Sequence, residues 1–232
     1  MKIHKNIKLM GLVSFFTDVS SEMILPILPL FLTITLGANM AVVGLVFGLS
    51  EATASLMKTF SGYWSDKTKK RKPFILAGYT LSSLTKPLLA LSTIWPHVLL
   101  LKFLDRAGKG IRDSPRDALI AASSKKRGTA FGFHRMLDNL GAVVGTLIAS
   151  YLLYVLADGF RLIFWLAFIP AIISVLLIPH IKEIKPKRIT HKIRFSLRRL
   201  SKKYKRFVII ATLFNLFTKL YQKIHLISWL ST

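Results

Sequence analysis

From residue 9 to residue 179 the chain passes through one apolar stretch after another, each about as long as a bilayer core is thick. An α-helix needs about 17 to 25 apolar residues to cross hydrocarbon. Stretches of that length lie at about 9–34, 41–61, 74–94, 98–121, 129–157 and 161–179, and a seventh apolar run starts near Phe207. Too little sequence remains to build a water-soluble core. The expectation is an all-α membrane protein with six spans and a partial or aberrant seventh. The N-terminus, MKIHKNIKLMGLV, is basic but has no small-residue cleavage site after its apolar run. Residues 9–34 therefore read as a retained first span and not as a removed signal peptide.

Short connections separate the spans: GAN at 37–39, DKTKKRK at 66–72, WPH at 95–97, SSKKRG at 123–128 and ADG at 157–159, with a long basic segment at 180–206. Cytoplasmic loops carry an excess of Lys and Arg, and that excess sets orientation. With the N-terminus inside, the inside segments hold 23 of the 34 Lys and Arg residues, whereas the outside connections hold only Arg161. This asymmetry predicts a cytoplasmic N-terminus and a cytoplasmic loop at 180–206. It also accounts for the net charge of +24 without nucleic acid, the partner such a charge would suggest for a soluble domain. The 180–206 segment reads as a linker with this inside bias; contact with anionic lipid is the alternative.

The fourth span is the anomaly. In FLDRAGKGIRDSPRDALIA, residues 103–121, seven of the thirteen positions from Asp105 to Asp117 are charged. If they formed a loop, only the 11 residues VLLLKFLDRAG would follow WPH, too few to span as a helix. The helix must continue through the charges to about Ala121, although Gly108, Gly110 and Pro115 leave a re-entrant segment as the alternative. On a helix Asp105, Lys109, Arg112 and Arg116 form one stripe, with Arg106, Asp113 and Asp117 about 100° to one side. Asp105–Lys109 and Lys109–Asp113 have i,i+4 spacing for ion pairs. A charge at the bilayer centre costs roughly 2.5–3.5 kcal/mol on insertion scales, so this face must meet protein or water.

Other ionisable residues lie at similar depth. Asp18 and Glu22 sit in span 1, Glu51 halfway along span 2, Lys86 halfway along span 3, and His134, Arg135 and Asp138 in the inner half of span 5. Simple structural pairing would explain any one of them; as a set they point to a polar cavity through the bundle. Asp18, Glu22 and Glu51 are candidates to take up a proton. Lys86, Arg106, Lys109 and Arg112 are candidates to hold a counter-charge or an anionic substrate group, and Asp105 and Asp138 complete the cavity set. Lys58, near the inner end of span 2, is expected to snorkel to the interface.

Enzyme classes find no support. GKGIRDSPR lacks the spacing of a phosphate loop, there is no H-E-x-x-H, and the six histidines are dispersed. Cysteine is absent, which excludes a disulfide framework and a thiolate metal site. No cofactor or metal is expected.

Three motifs resemble the major facilitator superfamily of transporters. GYWSDKTKKRKP, between spans 2 and 3, resembles the family's gating-loop motif: Gly62, Asp66, Lys67, Lys70 and Arg71 match, and Lys69 stands where the motif has its second glycine. RAGKG in span 4 matches the fourth-helix motif at Arg106 and Gly110, with Lys109 in place of its glutamine. GAVVGTLIAS in span 5 matches the glycine-rich antiporter motif at Gly141 and Gly145, with Thr146 in place of its proline. A small-xxx-small pair of this kind also reads as a helix-packing face. TDVSSEMILPILPLFL and GKGIRDSPRDALIA further resemble a prokaryotic branch of the superfamily.

The resemblance implies a six-helix bundle over residues 1–179, built of two three-helix inverted repeats, with a cytoplasmic loop at 180–206 and a partial seventh span at 207–232. It implies a proton-coupled secondary transporter of a small solute, working by alternating access in a prokaryotic cell membrane. It links Arg106 with proton coupling, and Asp66 with its basic neighbours to gating against the other half of the bundle. Family members have twelve spans in two halves, whereas this chain has one half and a stub that places Lys219, Lys223 and His225 in its seventh apolar run. The expectation is a chain cut short, by a frameshift or premature stop near residue 215, against a genuine half-transporter that assembles as a homodimer. An inactive remnant or a partner-binding membrane module is the competing functional class.

Overall fold

In the computed structural model the chain divides into two compact units, Met1–Lys187 and Arg188–Thr232. The residues described are 4–156 and 159–184, with the single positions 201, 206 and 210. Most of the basic loop expected at 180–206 and the expected seventh span lie outside them.

Six long helices make up the first unit: α1 (Lys5–Ile24), α2 (Met40–Thr68), α3 (Lys72–Ala90), α4 (Trp95–Ala122), α5 (Arg127–Leu156) and α6 (Phe160–Leu177). The first span does not stay regular. Pro26 and Pro29 remove backbone donors, and the chain passes through a short turn, Leu28–Leu30, into a π-helical segment, Phe31–Thr35. α1 continued to Thr35, α2, α5 and α6 are long and apolar enough to cross a membrane. α3 and α4 are not, α3 because Lys86 and its Gly, Ser and Thr residues dilute its hydropathy, α4 because of its charges.

α2 outruns its apolar stretch by seven residues, ending at Thr68 and not near residue 61. Apolarity marks the hydrocarbon depth, but helical hydrogen bonding continues into the polar interface. What stops α2 is Lys69, whose φ of 55° is left-handed. The tight turn where the motif has glycine is therefore formed, with a lysine held in a conformation that costs an L-residue about 1–2 kcal/mol. Lys69→Gly is expected to stabilise the bundle by about 1 kcal/mol, seen as a higher melting temperature of the purified chain in detergent; an unchanged or lower melting temperature would contradict it.

The helices pack in the order α2–α4–α3–α6–α1–α5, and α1 also touches α4. While α4 also touches α5 and α5 also touches α6, exchanging α1 with α4, α2 with α5 and α3 with α6 leaves the five closest pairings unchanged. This is the signature of two three-helix repeats related by a two-fold axis.

The contacts are made by small residues. A Cβ on Gly145 would lie 2.5 Å from the Val19 carbonyl oxygen, and one on Gly110 would lie 2.5 Å from that of Ala54. Gly141 faces the Phe15 carbonyl oxygen in the same way, so both span-5 motif glycines lie against the α1 backbone. The Ser61 hydroxyl donates to the Gly110 carbonyl at 2.9 Å, and the Ser20 hydroxyl donates to the Ala167 carbonyl. Meanwhile Leu56, Phe60, Leu147, Tyr151 and Leu176 face outward. Large apolar side chains outside and small residues at the crossings are the pattern of helices packed in lipid, where burial of leucine gains nothing and close backbone approach does.

Three chain segments meet at one end of the bundle. Asn6 Nδ2 donates to the Lys182 carbonyl at 2.9 Å, and Lys182 N–H returns a bond to Asn6 Oδ1 at 3.2 Å. Glu183 Oε2 accepts from the N–H groups of Arg71 at 3.1 Å and Lys72 at 2.7 Å, capping the N-terminus of α3. At the opposite end Arg161 donates to the Ala90 carbonyl at the C-terminus of α3. The basic segments thus gather at one end, and the lone outside arginine of the charge asymmetry lies at the other.

Candidate functional site

α4 is held along its length between α2 and α3, so its charges are spent against neighbouring helices and not against lipid. Towards its N-terminal end Asp105 is the hub. Its carboxylate accepts from the Ser82 hydroxyl on α3 at 2.5 Å and from Lys102 Nζ at 3.3 Å, with Arg106 Nε 3.7 Å away. Arg106 then reaches across to Glu51 on α2, Nη1 to Oε1 at 3.5 Å. Beside this hub Lys86, only 3% exposed, donates to the Ser21 hydroxyl on α1 at 3.2 Å.

Towards the other end of α4, Arg116 gathers two acids, Asp113 at 3.4 Å and Asp117 at 3.2 Å. Arg112, 4% exposed, lays its guanidinium over the ring of Tyr79 on α3, 4.1 Å from the centroid. Its Nε and Nη1, and His134 Nε2, are buried without a hydrogen-bond partner among the described residues.

A second acidic centre ties α1 to α5. The carboxyl groups of Asp18 and Asp138 lie within hydrogen-bonding reach of each other. Asp138 also accepts from the Ser14 hydroxyl, one turn before Asp18, and from Arg135 Nη1 at 3.0 Å.

The pairing on α4 corrects part of the sequence reading. The expected i,i+4 pairs Asp105–Lys109 and Lys109–Asp113 do not form among the described residues; Asp105 takes Lys102 and Arg106, and Asp113 takes Arg116. Both carboxylates are drawn to cations held inside the bundle, whereas Lys109 points to the exposed side. Glu22 is half-buried and joins no ion pair among the described residues. Lys102 escapes a reading of the sequence because it sits in the run VLLLKFL, which looks lipid-facing; its i,i+3 spacing to Asp105 is the available signal. Ser14, Ser21, Ser82 and Tyr79 escape it too, since a hydroxyl within a span carries no signal without its tertiary partner.

The loop between α2 and α3 is tied back to the bundle. Arg71 lies 3.8 Å from Asp66 and donates through Nη1 to the Ala118 carbonyl on α4 at 3.1 Å. Lys67 and Lys70 are exposed. Gly62 packs at α4, where an added Cβ would lie 2.6 Å from Ser114 Oγ.

Comparison with known proteins places this geometry in a family. The Major Facilitator Superfamily matches residues 10–232. An uncharacterized MFS-type transporter of Methanocaldococcus jannaschii is 38% identical over 218 residues, 93% of this chain and 54% of that one. The multidrug resistance protein MdtH of Photorhabdus laumondii is 33% identical over 133 residues, 56% of this chain and 33% of that protein. Among solved structures, a POT family transporter in complex with 5-aminolevulinic acid superposes with a TM-score of 0.72 at 15% identity, over 94% of this chain and 46% of that one. The chain spans about half the length of the curated relatives it matches, or less.

Proposed function

This chain belongs to the major facilitator superfamily, a family of integral membrane transporters, and we propose that its bundle is the half of a proton-coupled carrier that holds both the proton site and an anion-binding surface. The observation that carries the reading is what remains after the ion pairs on α4 have formed. Glu51 and Asp105 are taken by Arg106 and Lys102, and Asp113 and Asp117 by Arg116. Lys86, Lys109 and Arg112 are left with no ion-pair partner among the described residues. Lys86 and Arg112 are buried, and a buried cation without an ion-pair partner is costly, which favours a solute that brings its own anionic group.

Asp18 and Asp138 are the proton site in this reading. Two carboxyl groups in hydrogen-bonding reach accommodate one proton between them and repel without it. Loss of that proton loosens α1 from α5, a pairing with two arrangements on which alternating access can turn. Arg106, held between Glu51 and Asp105, links α2 to α4 and responds to charge changes in the cavity; Asp66, Arg71 and the loop lysines gate the inner end. A second six-helix half supplies the opposite wall, from a longer polypeptide or from a second copy of this chain. In this reading the bundle sits in a prokaryotic cell membrane with its N-terminus in the cytoplasm, the orientation that the charge asymmetry supports.

The test uses proteoliposomes loaded with a pH-sensitive dye. They hold the chain alone or fused to the second half of the 38%-identical relative, and are challenged with organic acids, dipeptides, sugars and cationic drugs. An organic anion is expected to drive proton entry, and Asp18→Asn or Asp138→Asn to abolish it. Proton entry that survives both substitutions would remove the carboxyl pair from the mechanism. Silence across the whole panel in both forms would favour a membrane module without transport activity.

A further inference from the structure

Outside the charged interior, the described residues hold a cleft where α2 turns into α3. Its volume is about 450 Å³, and it is lined by Lys69, Lys70, Lys72, Pro73, Leu76 and Glu183. It is a shallow depression open to its surroundings and not an enclosed pocket. The wall is divided by chemistry: Pro73 and Leu76 are apolar, and three lysines stand at the rim.

The one acid in the wall offsets one of the three charges but forms no ion pair with those lysines among the described residues. Glu183 Oε2 is held by the backbone N–H groups of Arg71 and Lys72. Lys72 Nζ is held by the Pro179 carbonyl at 2.6 Å. Lys69 and Lys70 are exposed and have no ion-pair partner among the described residues. The left-handed turn at Lys69 fixes where this rim stands.

A second feature sets the depth. Tyr63 and Trp64, in the last turns of α2, are 66% and 57% exposed. Outward aromatic residues at a helix end mark the headgroup layer of a bilayer. The cleft lies one turn beyond them, at the end of the bundle where the basic loops gather.

We propose that this cleft binds the headgroup of an anionic phospholipid, with its phosphate between Lys69 and Lys70 and the start of its acyl chains against Pro73 and Leu76. The placement in the cytoplasmic leaflet rests on the cytoplasmic N-terminus of the proposed function; the binding itself does not. A lipid seated there bridges α2, α3 and the segment after α6, and so bears on the loop assigned to gating.

Native mass spectrometry of the delipidated full chain tests this, with phosphatidylglycerol and phosphatidylcholine offered in equal amounts. Each lysine near an anionic surface contributes about fivefold to affinity. The wild-type chain is expected to retain phosphatidylglycerol preferentially, and Lys69→Gln with Lys70→Gln to lower that preference about 25-fold. Lys125→Gln with Lys126→Gln, the same change of charge in the loop before α5, is expected to leave it intact. Equal retention of the two lipids, or equal loss in both double variants, would overturn the proposal. So would inorganic phosphate displacing phosphatidylglycerol at equal concentration, since the ligand would then be a free phosphate. A thiol at Lys69→Cys that labels from outside right-side-out vesicles would refute the orientation and leave the cleft standing.

Discussion

Asp105→Asn should be among the most damaging single changes in the bundle, destabilising it by about 3–5 kcal/mol, the range for breaking a buried ion pair. Three groups converge on that carboxylate: Lys102 at 3.3 Å, Arg106 at 3.7 Å and the Ser82 hydroxyl. The amide preserves shape and keeps a hydrogen bond to Ser82 but removes the negative charge. Lys102, 4% exposed, is then a buried ammonium without a counter-ion. Against a total stability of about 5–15 kcal/mol, the variant should accumulate poorly in membranes and melt far below the parent. Adding Lys102→Met removes the stranded charge and should recover part of the loss. Failure of that rescue would mean that the carboxylate acts through Ser82 or Arg106 and not through Lys102.

Gly78→Leu should also prevent assembly, for a steric reason. A Cβ at Gly78 would lie 2.5 Å from the Gly108 carbonyl oxygen and 2.8 Å from Arg112 Cβ, and a Cβ at Gly108 would lie 2.6 Å from the Gly78 carbonyl oxygen. The two glycines let the α3 and α4 backbones touch, and neither neighbour is a flexible side-chain tip that could swing away. Even Gly78→Ala should cost about 1–3 kcal/mol as overpacking, and the leucine should separate the helices that hold Asp105 against Ser82. Gly44 is the control: an added Cβ there meets nothing within 4 Å. Gly44→Ala should gain about 0.5–1 kcal/mol of helix stability. Melting temperatures of the purified variants check both, and equal effects at the two glycines would contradict the close approach.

The six helices and their polar cargo were legible because apolar runs and the charges within them are read locally, although only four of the helices are long and apolar enough to cross a membrane. Residue by residue, an apolar run either meets the length requirement or fails it, and a charge within it must find cover. Lys69 in the place of the motif's second glycine argued against a tight turn there, yet the backbone is left-handed and the turn forms. What the sequence could not carry was the choice of partner. Spacing along α4 favoured Lys109 for Asp105 and Asp113, but the acids turned to Lys102, Arg106 and Arg116 because α2 and α3 hold those side chains inside. Glu183 capping α3 spans 111 and 112 positions of sequence, to Lys72 and Arg71 respectively, and no local pattern announces it. The facing of Asp18 and Asp138 depends on Gly141 and Gly145 bringing α5 against α1, a distance that periodicity does not contain.

The central claim is that the Lys109 side of α4, the part of its charged face not packed against α2 and α3, lines a water-filled cavity, and the absence of cysteine makes it directly testable. Each cysteine introduced is the sole thiol in the chain. Lys109→Cys, on the exposed side of α4, is compared with Leu84→Cys on α3 and Leu176→Cys on α6, both outward apolar positions. Ser124→Cys, in the loop before α5, serves as the water-exposed reference. The chain is reconstituted in liposomes and treated with a charged, membrane-impermeant thiol reagent from both sides. The account predicts that Lys109→Cys reacts at a rate near that of Ser124→Cys while Leu84→Cys and Leu176→Cys stay unmodified. Protection of Lys109→Cys equal to that of the two leucine positions would contradict it.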